Sequence, residues 1–218
     1  MTMQLEGPPI EIHIHTADGN VYSFYQDKAE EIARIISSIQ PQKVFAQRHL
    51  LIAGSFFMAG FPADEITRID LAMDQPVEWE FLHNLQSVEE ITTQEFEDMR
   101  SPVNNDVRRS SQNVPVGEFT EYTGEIMLRD GQQLCLRIIE RVGLKIDQRQ
   151  NIQNMFASAG FHVKRRDGGV IIVNPTLITR WAFYPGPADI PKNAWQAHRS
   201  DLGVGGGNQS QSKSSIFR

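Results

Sequence analysis

Ile10, Ile12 and Ile14 alternate with Glu11, His13 and His15. Successive side chains of an extended chain point to opposite sides, so this alternation predicts a strand with one buried face. Asp18-Gly19-Asn20 supplies turn residues, and Val21–Tyr25 returns as the second strand of a hairpin. From Ala29 the period lengthens. Ala29, Ile32, Ile35, Ile36 and Ile39 recur at helical spacing, with Asp27 as the expected N-cap and Pro41 as the stop. Three apolar runs follow, Val44–Gln47, Leu50–Ala53 and Phe56–Phe61, with Gly54-Ser55 turning between the last two. Pro62–Glu65 interrupts the ladder before Ile66, Ile69 and Leu71 resume it, and Val77, Trp79 and Phe81 predict one more strand.

The later half runs a related course. Strands are expected at Phe119–Tyr122 and Glu125–Leu128, a helix at Gln132–Val142, and a second, inserted helix from Lys145 through Ala157. Asp167-Gly168-Gly169 turns the chain into Val170–Val173, and Ile178–Phe183 closes the half. Aligning the halves sets Asp27 on Asp130, Arg34-Ile35-Ile36 on Arg137-Ile138-Ile139, His49–Pro62 on His162–Pro175, and Ile66-Thr67-Arg68 on Ile178-Thr179-Arg180. The expected fold is α+β: a tandem duplication of a small strand–strand–helix–strands module with mainly antiparallel sheets. The first unit spans 9–83 and the second 116–195. Residues 84–115 form an acidic connector, with a short helix opened by the capping box Thr92-Thr93-Gln94-Glu95 and then a mobile linker. Residues 196–218 read as a flexible tail.

Composition narrows the class. Hydrophobic residues make up 40% and charged residues 22% of 218, ordinary values for a globular protein. Units of about 70 residues are marginal alone and gain stability by packing on each other or on another chain. Leu50–Phe61, the longest apolar stretch, is interrupted by glycines and shorter than the roughly 20 residues a bilayer needs. The first nine residues lack a basic start and an apolar core. The expectation is a cytoplasmic protein with no membrane insertion. Cys135, the lone cysteine, excludes an intrachain disulfide and reads as a buried thiol in the predicted helix. Net charge is −6, with the acidic excess in the first 115 residues. That asymmetry suits head-to-tail contact or an oriented partner.

Candidate chemistry is sparse. His13 and His15 could fill two metal positions, but no third ligand has suitable spacing, and the alternation puts both rings on the solvent face. His49 and His162 align between the halves without a nucleophile motif beside them. The carboxylates of Asp64, Glu65, Asp70 and Asp74 are not paired by the pattern. No catalytic residue, metal or cofactor is therefore expected. Lys164, Arg165 and Arg166 form the one dense basic cluster, a candidate contact for an anion or nucleic acid. Arg68 and Arg180, each predicted to share a strand face with the isoleucine of its triplet, are candidate interface residues, and so is Phe217 near the C-terminus. The stretch VIIVNPTLITRW (Val170–Trp181), after a basic strand, resembles LytTR-type DNA-binding domains. The first half departs from it, with Gly60-Phe61 where Val173-Asn174 stand, and no site residue is carried over. The favoured expectation is a non-enzymatic interaction protein that self-associates or binds a protein partner. Nucleic-acid binding is a disfavoured second, and a pocket between the units for a small molecule a third.

Overall fold

The computed structural model describes residues 6–74, 77, 79–81, 85–100, 114–143, 145–186 and 194–195. In chain order the elements are β1 (Glu6–Thr16), β2 (Val21–Lys28), α1 (Ala29–Ser38), α2 (Pro41–Val44), β3 (His49–Ala53), β4 (Met58–Pro62) and β5 (Ile66–Ala72). There follow β6 (Leu85–Ile91), α3 (Thr93–Arg100), β7 (Phe119–Leu128), β8 (Gln133–Arg141), α4 (Lys145–Ala157), β9 (Phe161–Lys164), β10 (Val170–Val173) and β11 (Ile178–Tyr184). Short 3-10 turns at Ala63–Glu65 and Pro175–Leu177 lead into β5 and β11. The protein is thus a mixed α and β fold with mostly antiparallel strands. Nine strands make one sheet in the order β11-β7-β8-β6-β9-β10-β5-β1-β2, while β3 and β4 form a separate two-stranded sheet. Only the β6–β9 pairing is parallel among the described strands.

Two cores lie on opposite faces of the large sheet. Ile10, Ile12 and Ile14 pack with Ile69, Leu71 and Phe61 beneath Ile32 of α1. Ile126, Leu134, Leu136, Ile138 and Val163 pack with Ile152 and Met155 of α4. Strand β10 serves both, because its neighbours in sequence point to opposite faces. Val170 and Ile172 enter the first core, and Ile171 and Val173 the second. A strand covered on both sides needs no polar face, hence four consecutive β-branched residues.

Several expectations are realised. Helix α1 buries Ile32, and α4 ends at Ala157 as the sequence predicts. At the start of α3 the Thr92 backbone N–H donates to Glu95 Oε2 at 2.8 Å, and the Glu95 N–H donates to Thr92 Oγ1 at 3.1 Å. That is the reciprocal pattern of a capping box. No helix among the described residues is long and apolar enough to cross a membrane.

Others are corrected. The helix expected at Gln132–Val142 is the strand β8. Leu134, Leu136 and Ile138 alternate on one face, and Cys135, buried on the other, lies opposite Glu125 and Ile91. With β7 and β6 on its two sides and both faces covered, its pattern fits helix and strand alike. The alignment of Arg34-Ile35-Ile36 with Arg137-Ile138-Ile139 therefore equates a helix with a strand and fails. Asp27 ends in β2, and Lys28 occupies the N-cap without a side-chain bond. The predicted strands Phe119–Tyr122 and Glu125–Leu128 are one continuous β7. Described residues around Val77–Phe81 are not extended strand, and the unforeseen β6 lies just beyond them, inside 84–115. Of the expected linker (101–115), residues 101–113 fall outside the described residues, as does the tail (196–218).

Candidate interaction surface

The triplet Ile-Thr-Arg sits at the same structural device in both halves. Where β5 meets β1, His15 lies opposite Arg68 and Thr16 opposite Ile66, leaving Thr67 as the extra residue of a β-bulge. Where β11 meets β7, Ile178 lies opposite Leu128 and Arg180 opposite Met127, leaving Thr179 extra. Thr67 Oγ1 donates to the His15 carbonyl at 3.1 Å, and Thr179 Oγ1 donates to the Met127 carbonyl at 3.1 Å. The bulge changes the facing. Ile66 enters a core while Arg68 turns to the opposite face, which corrects the expectation that arginine and isoleucine share a side. Arg68 lies 3.3 Å from Asp70 Oδ2, and Arg180 donates to Glu125 Oε1 at 2.9 Å.

The hairpin turns match as well. Gly19 and Gly131 have φ of 85° and 83°, the left-handed region that glycine enters without a Cβ penalty. Asp18 Oδ1 accepts from the Asn20 N–H at 3.2 Å, and Asp130 Oδ1 from the Gln132 N–H at 3.0 Å. Hairpin pairing also shows that His49 and His162 are not counterparts. His49 opposes Pro62, whereas Phe161 opposes Val173 and His162 opposes Ile172. Leu51, opposite Gly60, stands where His162 does.

His15 is not on a wet face. Its Nε2 lies 3.0 Å from Asp70 Oδ2, and its Nδ1 is 3.3 Å from Gln132 Nε2 in the β7–β8 turn. Thr67 Oγ1 reaches Asp130 Oδ2 of that turn at 2.9 Å. The sheet thus curls until a late turn covers the start of β5, a relation no local pattern encodes. His13 remains half-exposed and bonds Ser23 Oγ at 2.9 Å. No group of three or more His, Cys, Asp or Glu among the described residues is arranged to hold a metal ion.

The basic cluster is dispersed by its neighbours. Arg165 Nε donates to Asp167 at 3.0 Å, Arg166 donates to Glu95 at 2.8 Å, and the Lys164 ammonium lies 5.4 Å over the Phe81 ring. Phe217 lies outside the described residues. An open cleft of about 540 Å³ between the halves is lined by Arg48, His49, Asp64, Asn174 and Thr176. Its Asn174 is spent on the fold, donating to the Ala63 and Ile66 carbonyls and accepting from Thr176.

His162 is a strongly perturbed titratable group. It is 4% exposed, stacked 4.2 Å from Phe81 and edge-on 5.6 Å from Trp79. Burial among these rings, reinforced by the Lys164 charge, lowers its pKa from 6.5 to about 4. A neutral, enclosed imidazole with Nε2 lacking a hydrogen-bond partner among the described residues is a packing element. Burial likewise pushes the Cys135 thiol up, away from the reactive thiolate.

Strand edges distinguish the two halves. In the second, β6 bridges the hairpins β7–β8 and β9–β10, and β10 continues into β5. In the first, nothing described bridges β2 and β3. Hence β2, β3, β4 and β11 each carry an edge without a partner strand among the described residues. Large apolar side chains are exposed along these strands: Leu51 is 65%, Met58 76%, Tyr25 62% and Trp181 49% exposed. Sequence reasoning missed them as surface residues, although Leu51 and Met58 sit out of phase with the inward Leu50, Ile52 and Ala59. Comparison with family models, with curated proteins and with solved structures returns no match.

Proposed function

We propose that the chain is a non-enzymatic structural protein, built from two tandemly duplicated α+β units, that assembles with copies of itself. The duplication reading is supported by the order strand, strand, helix, strand, strand, 3-10 turn, strand, which both halves follow apart from the extra short helix α2 in the first. It is supported further by the matching bulges and turns, since a bulge at the same residue type in the same strand pair is a specific feature. The carrying observation for assembly is the run of edges without a partner strand among the described residues, flanked by exposed Leu51, Met58 and Trp181. Unpaired N–H and C=O groups beside apolar side chains form a template for another strand, and monomers normally blunt such edges with charge or cover them. A nucleic-acid role for Lys164, Arg165 and Arg166 has less support, because Arg165 and Arg166 already face carboxylates. Light scattering after size exclusion, over a wide range of concentration, tests the proposal. Masses at multiples of the chain are expected. A monomer at every concentration would refute it.

A further inference from the structure

The chain already contains one join between its halves, and that join defines a second. Strand β10 pairs antiparallel with β5, setting Val170 opposite Leu71, Ile171 opposite Asp70, Ile172 opposite Ile69 and Val173 opposite Arg68. β10 is the second strand of its hairpin and is followed by a 3-10 turn, as β4 is in the first half. β5 and β11 are the bulged Ile-Thr-Arg strands. The second half's hairpin is therefore closed by the Ile-Thr-Arg strand of the half before it. Among the described residues the first half's hairpin, at β4, has no such neighbour, and β11 has no strand beyond it.

Resting on the self-assembly reading above, we infer that β11 of one copy pairs antiparallel with β4 of the next, repeating the β5–β10 join between molecules. The register follows by transfer. Phe183, Ala182, Trp181 and Arg180 of one copy fall opposite Met58, Ala59, Gly60 and Phe61 of its neighbour. The sizes suit each other, since exposed Trp181 meets a residue without a side chain. A groove of about 620 Å³, walled by Tyr22, Phe24, Phe57 and Phe61, runs beside β4 with Asp18 at its rim. Asp18 stands where Asp130 stands, and Asp130 accepts from the bulge residue Thr67 across the intrachain join. Thr179 of the neighbour supplies the matching hydroxyl. One contact is not reproduced: the Asn174 N–H donates to the Thr67 carbonyl at 3.0 Å, and Pro62, after β4, has no N–H to offer. Joining one end of the chain to the other end of the next is heterologous, so it builds a closed ring or a filament.

Paired cysteines test this in the full chain. In a Cys135→Ser background, chains carrying Ala59→Cys are mixed with chains carrying Ala182→Cys and treated with a short bis-maleimide. A band at twice the chain mass is expected from the mixture and from neither chain alone, and a chain with both substitutions should give a ladder or a closed ring. Light scattering on the same samples separates the two ideas. Oligomers that never bridge would overturn this pairing while leaving self-assembly standing. A monomer at every concentration would overturn both. Trp181→Lys provides a second arm, read once circular dichroism and a urea melt show the variant folded, because the half-exposed ring also stacks on Phe156 at 5.0 Å. Loss of the oligomer is expected, and an unchanged oligomer would refute the role of β11.

Discussion

Acid should unfold this protein partly through His162, and the size of that effect can be worked out. The imidazole has its folded pKa lowered to about 4, with burial as the main cause and Lys164 as the second. As pH falls, the unfolded chain, titrating near 6.5, takes the proton first, so stability declines wherever the unfolded state binds more protons. The contribution is complete above about pH 7 and is lost between about 6.5 and 4. A shift of roughly 2.5 units at 1.36 kcal/mol each amounts to about 3 kcal/mol, of which about 2.5 kcal/mol is gone by pH 4.5. Urea denaturation of the wild type and of His162→Phe at pH 7.5 and 4.5 isolates this contribution, because other titrating groups are common to both proteins. The variant keeps an aromatic ring against Phe81 and cannot protonate. Its stability relative to wild type should improve by about 2 kcal/mol or more between the two pH values. Lys164→Gln, which removes only the nearby charge, should show a smaller improvement in the same direction. An equal pH dependence in wild type and His162→Phe would refute the assignment of a buried neutral imidazole.

Three further outcomes follow from the packing. A Cβ added at Gly169 would sit 2.1 Å from the Leu71 carbonyl oxygen, whereas one at Gly131 would meet nothing within 4 Å. Gly169→Ala should therefore cost about 3 kcal/mol by forcing β10 from β5, and Gly131→Ala only about 1 kcal/mol of backbone strain, both read by urea denaturation. Thr67→Val removes a hydroxyl whose one hydrogen is shared between the buried His15 carbonyl and Asp130 and should cost about 1.5 kcal/mol, while Thr179→Val, at an exposed bulge, should cost under about 1 kcal/mol; the reverse order in thermal melts would contradict the bulge geometry. The Cys135 thiol, buried in β8 with its pKa raised, should react with an aromatic disulfide reagent only as the chain opens, so labelling should accelerate steeply with urea; rapid labelling of the native protein would disprove its burial.

Much of the local structure could be read from residue periodicity. The alternation of Ile10, Ile12 and Ile14, the helical spacing through α1, and the Thr92–Glu95 capping box are short-range signals, and each is realised as a strand, a helix and a cap. The repeated Ile-Thr-Arg triplet was visible too, but its meaning was not. Only the pairing of β5 with β1 and of β11 with β7 shows a bulge that turns isoleucine inward and arginine to the opposite face. Strand β8 was misread because burial on both faces erases the polar half of the alternation, and β6 was missed because Ser87, Glu89 and Glu90 disguise a central strand.

Sequence alone determined the β1–β2 hairpin, helix α1, the capping box of α3 and that two stretches share a motif. It also indicated that no metal or nucleophile signature stands out. Tertiary structure alone decided that β10 belongs to both cores, that His15 is covered by a turn more than a hundred residues away, and that four strand edges have no partner among the described residues. Periodicity reports the environment of one strand at a time. Which edges meet is decided by contacts between segments distant in sequence, where the burial of whole faces outweighs any local preference.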